Sequence, residues 1–305
     1  MHVVRYVPPG SSDAPVVGVR EGERVTPLPD TGSVAELLRL STSEIRGRLD
    51  RELADTSLAI SDVRLMPPID GRTEVWASGV TYERSRGARV EESSDGDIYR
   101  YVYDAPRPEL FFKAPAWRVV TDGEPVVIRS DSPLNVPEPE LALVVNAHGE
   151  IVGVVVCNDM SSRSLEGENP LYLPQAKIYN GSCALSASIR PVWTMGDLTD
   201  LRIHMRILRD GSTVWSGDTT TGKLRRGPRE LVDALFAETD FPDGAVLATG
   251  TGIIPEIEFV LSPTDRIEIA IDGLGVLSNH VVRGRDSVPR LDDSSEDRNA
   301  KEALR

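Results

Sequence analysis

The chain of 305 residues is short of cysteine, short of basic residues and without a long apolar run, and each shortage excludes something. Its two cysteines, Cys157 and Cys183, are too few for a disulfide framework, and their apolar or small neighbours mark them as buried thiols of a reducing compartment. No segment approaches the roughly 20 apolar residues of a membrane-spanning helix, and the stretch from Met1 to Gly10 lacks the apolar core of a signal peptide. These features read as a cytoplasmic protein. Lys and Arg number 34 against 48 Asp and Glu, giving a formal net charge of -14. Phosphate backbones and anionic membranes attract clustered cations, so neither is an expected partner. A small anionic substrate stays compatible, provided local cations offset the global field. Internal repeats and low-complexity tracts are also missing.

What is present is enough for a globular core, at 40% apolar residues. Residues 1–68 read as a small N-terminal α/β domain: strands at His2 to Val7 and Val16 to Arg20, then two helical stretches. Ser33-Val34-Ala35-Glu36 and Ser41-Thr42-Ser43-Glu44 both carry capping-box spacing. Pro67-Pro68 marks the hinge to a β-rich body over residues 69–285. Strand-like runs there are Val75 to Val80, Leu110 to Lys113, Leu141 to Val145, Val152 to Val156, Arg202 to Leu208, Ile257 to Leu261 and Arg266 to Ile271. One clear helix, Pro228 to Glu238, puts proline at its first position and Leu231, Leu235 and Phe236 on one face. Residues 286–305 are a polar tail. The pattern predicts an α+β, β-rich fold, a sandwich or roll rather than a doubly wound sheet.

Three carboxylates interrupt the apolar strands. Glu138 and Glu140 sit two residues apart, so a strand turns both to one face. His148-Gly149-Glu150 is a turn signal, which pairs the following run back and carries Asp159 to the same end. Three anions gathered there repel unless a cation sits among them. Oxygen-only ligation suits Mg²⁺, with Mn²⁺ or Ca²⁺ as alternatives, rather than zinc. Spacing alone leaves a second arrangement open, two solvent-facing glutamates on an edge strand and a capping aspartate.

Glu138-Pro139-Glu140-Leu141, Asn158-Asp159-Met160-Ser161-Ser162-Arg163, Ala176-Lys177 and Thr249-Gly250-Thr251-Gly252 resemble, in order and spacing, the fumarylacetoacetate hydrolase family. The resemblance spans about residues 70–285. Two longer stretches, Trp76 to Ser85 and Gly167 to Tyr179, resemble its 2-keto-3-deoxy-D-arabinonate dehydratase branch. It implies a mixed β-sandwich roll of the family's C-terminal type, Mg²⁺ on Glu138, Glu140 and Asp159, and a homodimer or homotetramer.

One departure separates this chain from the family's hydrolases. They carry Asn-Tyr-x-x-His where this sequence reads Thr81-Tyr82-Glu83-Arg84-Ser85, and a serine hydroxyl cannot replace that histidine as a base at neutral pH. His2, His148, His204 and His280 lie away from the motifs. The implied activity is therefore Mg²⁺-dependent dehydration of a 2-keto-3-deoxy sugar acid, such as 2-keto-3-deoxy-D-arabinonate to 2,5-dioxopentanoate, through a metal-bound enolate. The alternative is a hydrolase, decarboxylase or tautomerase acting on an acylpyruvate or oxaloacetate-like 2-keto acid. Either substrate is a small anion, so cations must stand close: Arg163, Lys113 and Lys177. Lys113, Lys177 and Glu168 are the candidate catalytic residues for moving protons. Arg163, Thr251, Gly250 and Tyr82 are the candidate substrate contacts. Gly217 to Lys223 superficially suggests a phosphate loop but lacks the Gly-Lys-Ser/Thr ending.

Overall fold

The computed structural model describes residues 1–11, 14–50, 56–85, 87 and 101–287. Nearly all of the polar tail expected from Asp286 onward thus lies outside the described residues. Among them, the strands form a mixed sheet of twelve, a second sheet of five and a two-stranded ribbon. The chain is α+β and strand-rich, as its turn-punctuated apolar runs require.

The strand Pro139–Val145 lies near the middle of the large sheet and is buried along its whole length. Covered on both faces, it sends alternate side chains into two cores. Leu141, Leu143 and Val145 point toward Ile203, Met205, Ile207, Ile267 and Ile269 of the smaller sheet and toward Leu231 and Leu235 of the helix Pro228–Phe236. Ala142 and Val144 point the other way, toward Val34, Leu37, Leu38, Ile45 and Leu49 of the two N-terminal helices, Val34–Leu38 and Thr42–Leu49. The same alternation puts Glu140 on the face of Ala142 and Val144.

The capping signals were half realised in one case and fully in the other. At Thr42–Leu49 the Ser41 hydroxyl and the Glu44 carboxylate satisfy each other's backbone amides. At Val34–Leu38 Ser33 accepts from the Glu36 amide, while Glu36 reaches instead to the Gly32 amide. The amides of Val34 and Ala35 donate to Asp70, which also pairs with Arg5 at 2.8 Å. A carboxylate beyond Pro67-Pro68 therefore completes the first helix's N-terminus. The strand His2–Val7 pairs with Ser188–Pro191, so the segment 1–68 extends the large sheet.

Ile257 to Leu261 does not form a strand. Two prolines, Pro255 and Pro263, bracket it, its backbone turns with the Phe259 amide donating to the Glu256 carbonyl, and Ile257 and Val260 are exposed. An apolar run without a ladder partner is a loop whatever its composition. Conversely Ser212–Thr220, polar enough to be passed over, is a strand at the edge of the five-stranded sheet. The glycine-rich Gly217 to Lys223 runs from that strand into a single 3₁₀ turn, which is no phosphate loop.

Asp243, buried just before the strand Ala245–Ala248, binds the region together. Its carboxylate accepts from Arg39 at 3.0 Å and from the Arg72 amide at 2.9 Å and guanidinium at 3.2 Å. Burial pushes its carboxyl up, but the Arg72 and Arg39 bonds outweigh it and bring the pKa down from 3.8 to about 2. A depressed carboxyl contributes stability that is present above its ordinary value and is lost as pH falls through the folded value. Asp243→Asn should therefore flatten the acid limb of a melting-temperature profile between pH 3.8 and about 2. An unchanged acid limb would show that Asp243 carries no such linkage.

Candidate metal centre and active site

Strand polarity gathers the chemistry at one end of the large sheet. Pro139–Val145 is antiparallel to Ile151–Asp159 and to Ala245–Ala248. Ala245–Ala248 is parallel to Glu74–Gly79, which is antiparallel to Glu109–Pro115. Five chain segments consequently meet at one edge: Glu138 and Glu140 at a strand start, Asp159 at a strand end, Gly250 and Thr251 just past another, Val80 to Ser85 past a fourth, and Glu109 opening the fifth. No single stretch of sequence contains this assembly.

Carboxylate oxygens of Glu138, Glu140 and Asp159 lie within 4.8 Å of one another, and all three residues are buried. The Glu138 backbone carbonyl accepts from the Asp159 amide at 2.9 Å, which continues the ladder past the last regular pair and sets the two carboxylates side by side. The solvent-facing arrangement is excluded.

Three cations close on the triad. Lys177 donates to Glu138 at 2.7 Å, Asp159 at 3.0 Å and the Ser161 hydroxyl at 2.5 Å. Lys113 pairs with the other oxygen of Asp159 and donates to the carbonyls of Met160 at 3.0 Å and Lys177 at 2.6 Å. Arg163 donates to Glu138 at 2.7 Å. Lys177 and Arg163 reach the site because the chain, leaving Asp159, folds into the short helices Arg163–Glu168 and Leu173–Lys177 over that end of the sheet. All three side chains are buried, as clustered carboxylates in low dielectric demand.

Glu140 differs from its partners. Its carboxylate accepts from a backbone donor, the Gly250 amide at 2.7 Å. Burial first, then the charges of Asp159 and Glu138, hold its carboxyl well above the ordinary range, against the opposing pull of Lys177 and the Gly250 amide. Gly250 has φ +92°, and a Cβ there would meet the Thr81 hydroxyl at 1.9 Å and the Ser78 carbonyl at 2.9 Å. Only glycine lets this amide approach Glu140. The donor set is oxygen alone, the three groups can share one ion, and one is raised by the repulsion a divalent cation relieves. These residues fit Mg²⁺.

The cavity at the triad is also lined by Ser85, Glu109, Phe111, Glu166 and Thr251, and holds only about 10 Å³ of free space because the cationic side chains fold onto the carboxylates. Ser85 stands at its wall, donating to the Tyr82 carbonyl at 2.7 Å. Thr251 is buried there with its hydroxyl on the Ile253 carbonyl at 3.1 Å. Tyr82 is buried outside the lining, packed under Gly252, and burial followed by the Glu140 charge raises its phenol. Glu168 is exposed at the end of its helix and does not line the cavity; Glu166, two residues earlier and buried, does. Sequence reasoning missed Glu109 and Glu166. Alternation on Glu109–Pro115, which places Glu109, Phe111 and Lys113 on one face, was the available signal for the first.

Buried carboxylates converging on one point at the end of a mixed β-roll, with lysines at hand, define a hard-metal centre for an oxygen-rich ligand. The chain belongs to the fumarylacetoacetate hydrolase family: the model of the fumarylacetoacetate (FAA) hydrolase C-terminal region matches residues 74–282. It is 43% identical over 252 residues to a probable 2-keto-3-deoxyxylonate dehydratase of Haloferax volcanii, covering 83% of this chain and 86% of that one. It is 40% identical over 265 residues to the 2-dehydro-3-deoxy-D-arabinonate dehydratase of Saccharolobus solfataricus, covering 84% and 89%. Among solved structures, a 2-keto-3-deoxy-D-arabinonate dehydratase complexed with magnesium and 2,5-dioxopentanoate superimposes with a TM-score of 0.79 at 34% identity, over 93% of this chain and 100% of that one.

Proposed function

We propose that this protein is a Mg²⁺-dependent hydro-lyase that dehydrates a 2-keto-3-deoxy sugar acid, such as 2-keto-3-deoxy-D-arabinonate or its xylonate counterpart. The observation that carries this is the buried triad of Glu138, Glu140 and Asp159 together with two further carboxylates, Glu109 and Glu166, in the same cavity. The magnesium-bound relative and the two dehydratases of 40% and 43% identity support it. Ser85 at the cavity wall supports elimination over hydrolysis, because no imidazole stands there to activate water.

Mg²⁺ on the triad would supply Lewis acidity, making the C3 hydrogens of a chelated 2-keto acid acidic. The chain's own residues do the rest. Lys177 and Arg163, which pair with Glu138 and Asp159, are the cations placed to meet the substrate's carboxylate and keto oxygens. Lys113 positions Asp159 and the Lys177 backbone without facing the substrate. Thr251 offers its hydroxyl to the substrate carboxylate at the cavity wall. Glu109 takes the C3 proton, and Glu166 returns one to the departing C4 hydroxyl. Tyr82 supports the floor beneath Gly252 and Glu140, and Glu168 stays in solvent. The enzyme acts in the cytoplasm as a homodimer or homotetramer; none of the described helices is long and apolar enough to cross a membrane.

Two measurements test this. Incubation with Mg²⁺ and 2-keto-3-deoxypentonate should yield a product lighter by one water, whereas an unchanged mass would mean isomerisation and loss of CO₂ decarboxylation. Glu109→Gln should lower kcat by roughly a hundredfold or more with little change in KM, the usual loss for a general base. A fully active Glu109→Gln enzyme would remove that assignment.

A further inference from the structure

A second cavity, of about 360 Å³, lies outside the carboxylate site and shares none of its lining residues. Its walls carry three arginines, Arg118, Arg129 and Arg285, against one carboxylate, Asp131. Arg129 and Asp131 satisfy each other through two bonds of 2.8 and 2.6 Å. Among the described residues, neither Arg118 nor Arg285 has a carboxylate partner. Two lining residues also bury polar atoms that have no hydrogen-bond partner among the described residues, Nε of Arg118 and Oη of Tyr179.

Such buried atoms are rare because each forgoes its hydration, and a wall of three guanidiniums against one carboxylate is a local positive site in a chain of net charge -14. We propose that this cavity binds a small organic dianion, a phosphate ester or a dicarboxylate. The volume suits a metabolite, the surplus positive charge of three arginines against Asp131 matches a dianion, and guanidinium forks donate bidentately to oxyanions. Tyr179 Oη adds a donor. The site abuts the active centre: Tyr179 lies two residues after Lys177, and Arg129 stacks on the Tyr179 ring at 5.4 Å while donating to the Gln175 carbonyl at 3.0 Å, in the helix that presents Lys177 to the triad.

Calorimetric titration of the Mg²⁺-loaded protein with inorganic phosphate and, separately, with succinate tests the proposal; neither probe carries the 2-oxo group of a substrate. At least one should bind with one-to-one stoichiometry. Binding of phosphate alone assigns the site to phosphate esters, and of succinate alone to dicarboxylates. Arg285→Gln and Arg118→Gln should each weaken binding about tenfold, the usual effect of removing a charged hydrogen-bond partner. Glu140→Gln, which disables the metal centre, should leave it unchanged. Absence of saturable heat with both probes would overturn the proposal, as would affinity that survives Arg285→Gln or disappears with Glu140→Gln. Arg285 is exposed on a short turn, so its replacement does not put folding in question.

Discussion

Glu140→Gln is expected to abolish turnover, lowering kcat by roughly a thousandfold or more, because Lewis-acid stabilisation worth several kcal/mol depends on a full set of anionic ligands. Burial first, then the charges of Asp159 and Glu138, hold the Glu140 carboxyl above its ordinary range, and a divalent ion would relieve that repulsion. The amide keeps the shape and the contact with the Gly250 backbone region but removes the charge. Mg²⁺ titration by calorimetry should show a matching loss of affinity, while the folded state should be no less stable without metal. Turnover at the wild-type rate would sink the metal-centre reading altogether.

The second large effect concerns stability. Lys177 is buried, and its ammonium bonds Glu138, Asp159 and Ser161 at once. Lys177→Met fills the same volume and leaves those two carboxylates short of a cation, a loss of about 3–5 kcal/mol by the usual cost of breaking a buried ion pair from one side. Thermal melts without metal should show it. Mg²⁺ should then raise the melting temperature of the variant by more than that of the wild type, because the ion no longer competes with the ammonium and binds only the folded chain. Equal melting temperatures of the two proteins without Mg²⁺ would mean that the cluster contributes nothing to folding. Activity should be lost in either case, since Lys177 also faces the substrate in our reading.

Much of the fold was legible because its causes are local. The alternation through Pro139–Val145, the turn at His148-Gly149 and the capping box at Ser41 all act over a few residues, and each formed. Local signals failed where a partner decides the outcome. Ile257 to Leu261 has strand composition but no neighbour to pair with, and Ser212–Thr220 has little of it but lies against Arg202–Arg209. The spacing of Glu138, Glu140 and Asp159 was likewise consistent with a solvated edge. Burial decides between the two arrangements, and burial belongs to the whole sheet.

The sequence by itself determined the ligand chemistry, the strand-rich class and the missing histidine at Ser85, since these rest on residue type and short spacing. Only the tertiary structure decided which glutamates join the cavity. Glu166 and Glu168 share one helix, yet one is buried against the triad and the other faces water, because a helix turns residues two apart to different sides. Glu109 enters from a strand opposite Gly79, where a side chain of any size would collide with it. The pairing of distant strands, set by the packing of two cores against one sheet, is what puts these carboxylates within reach of one another.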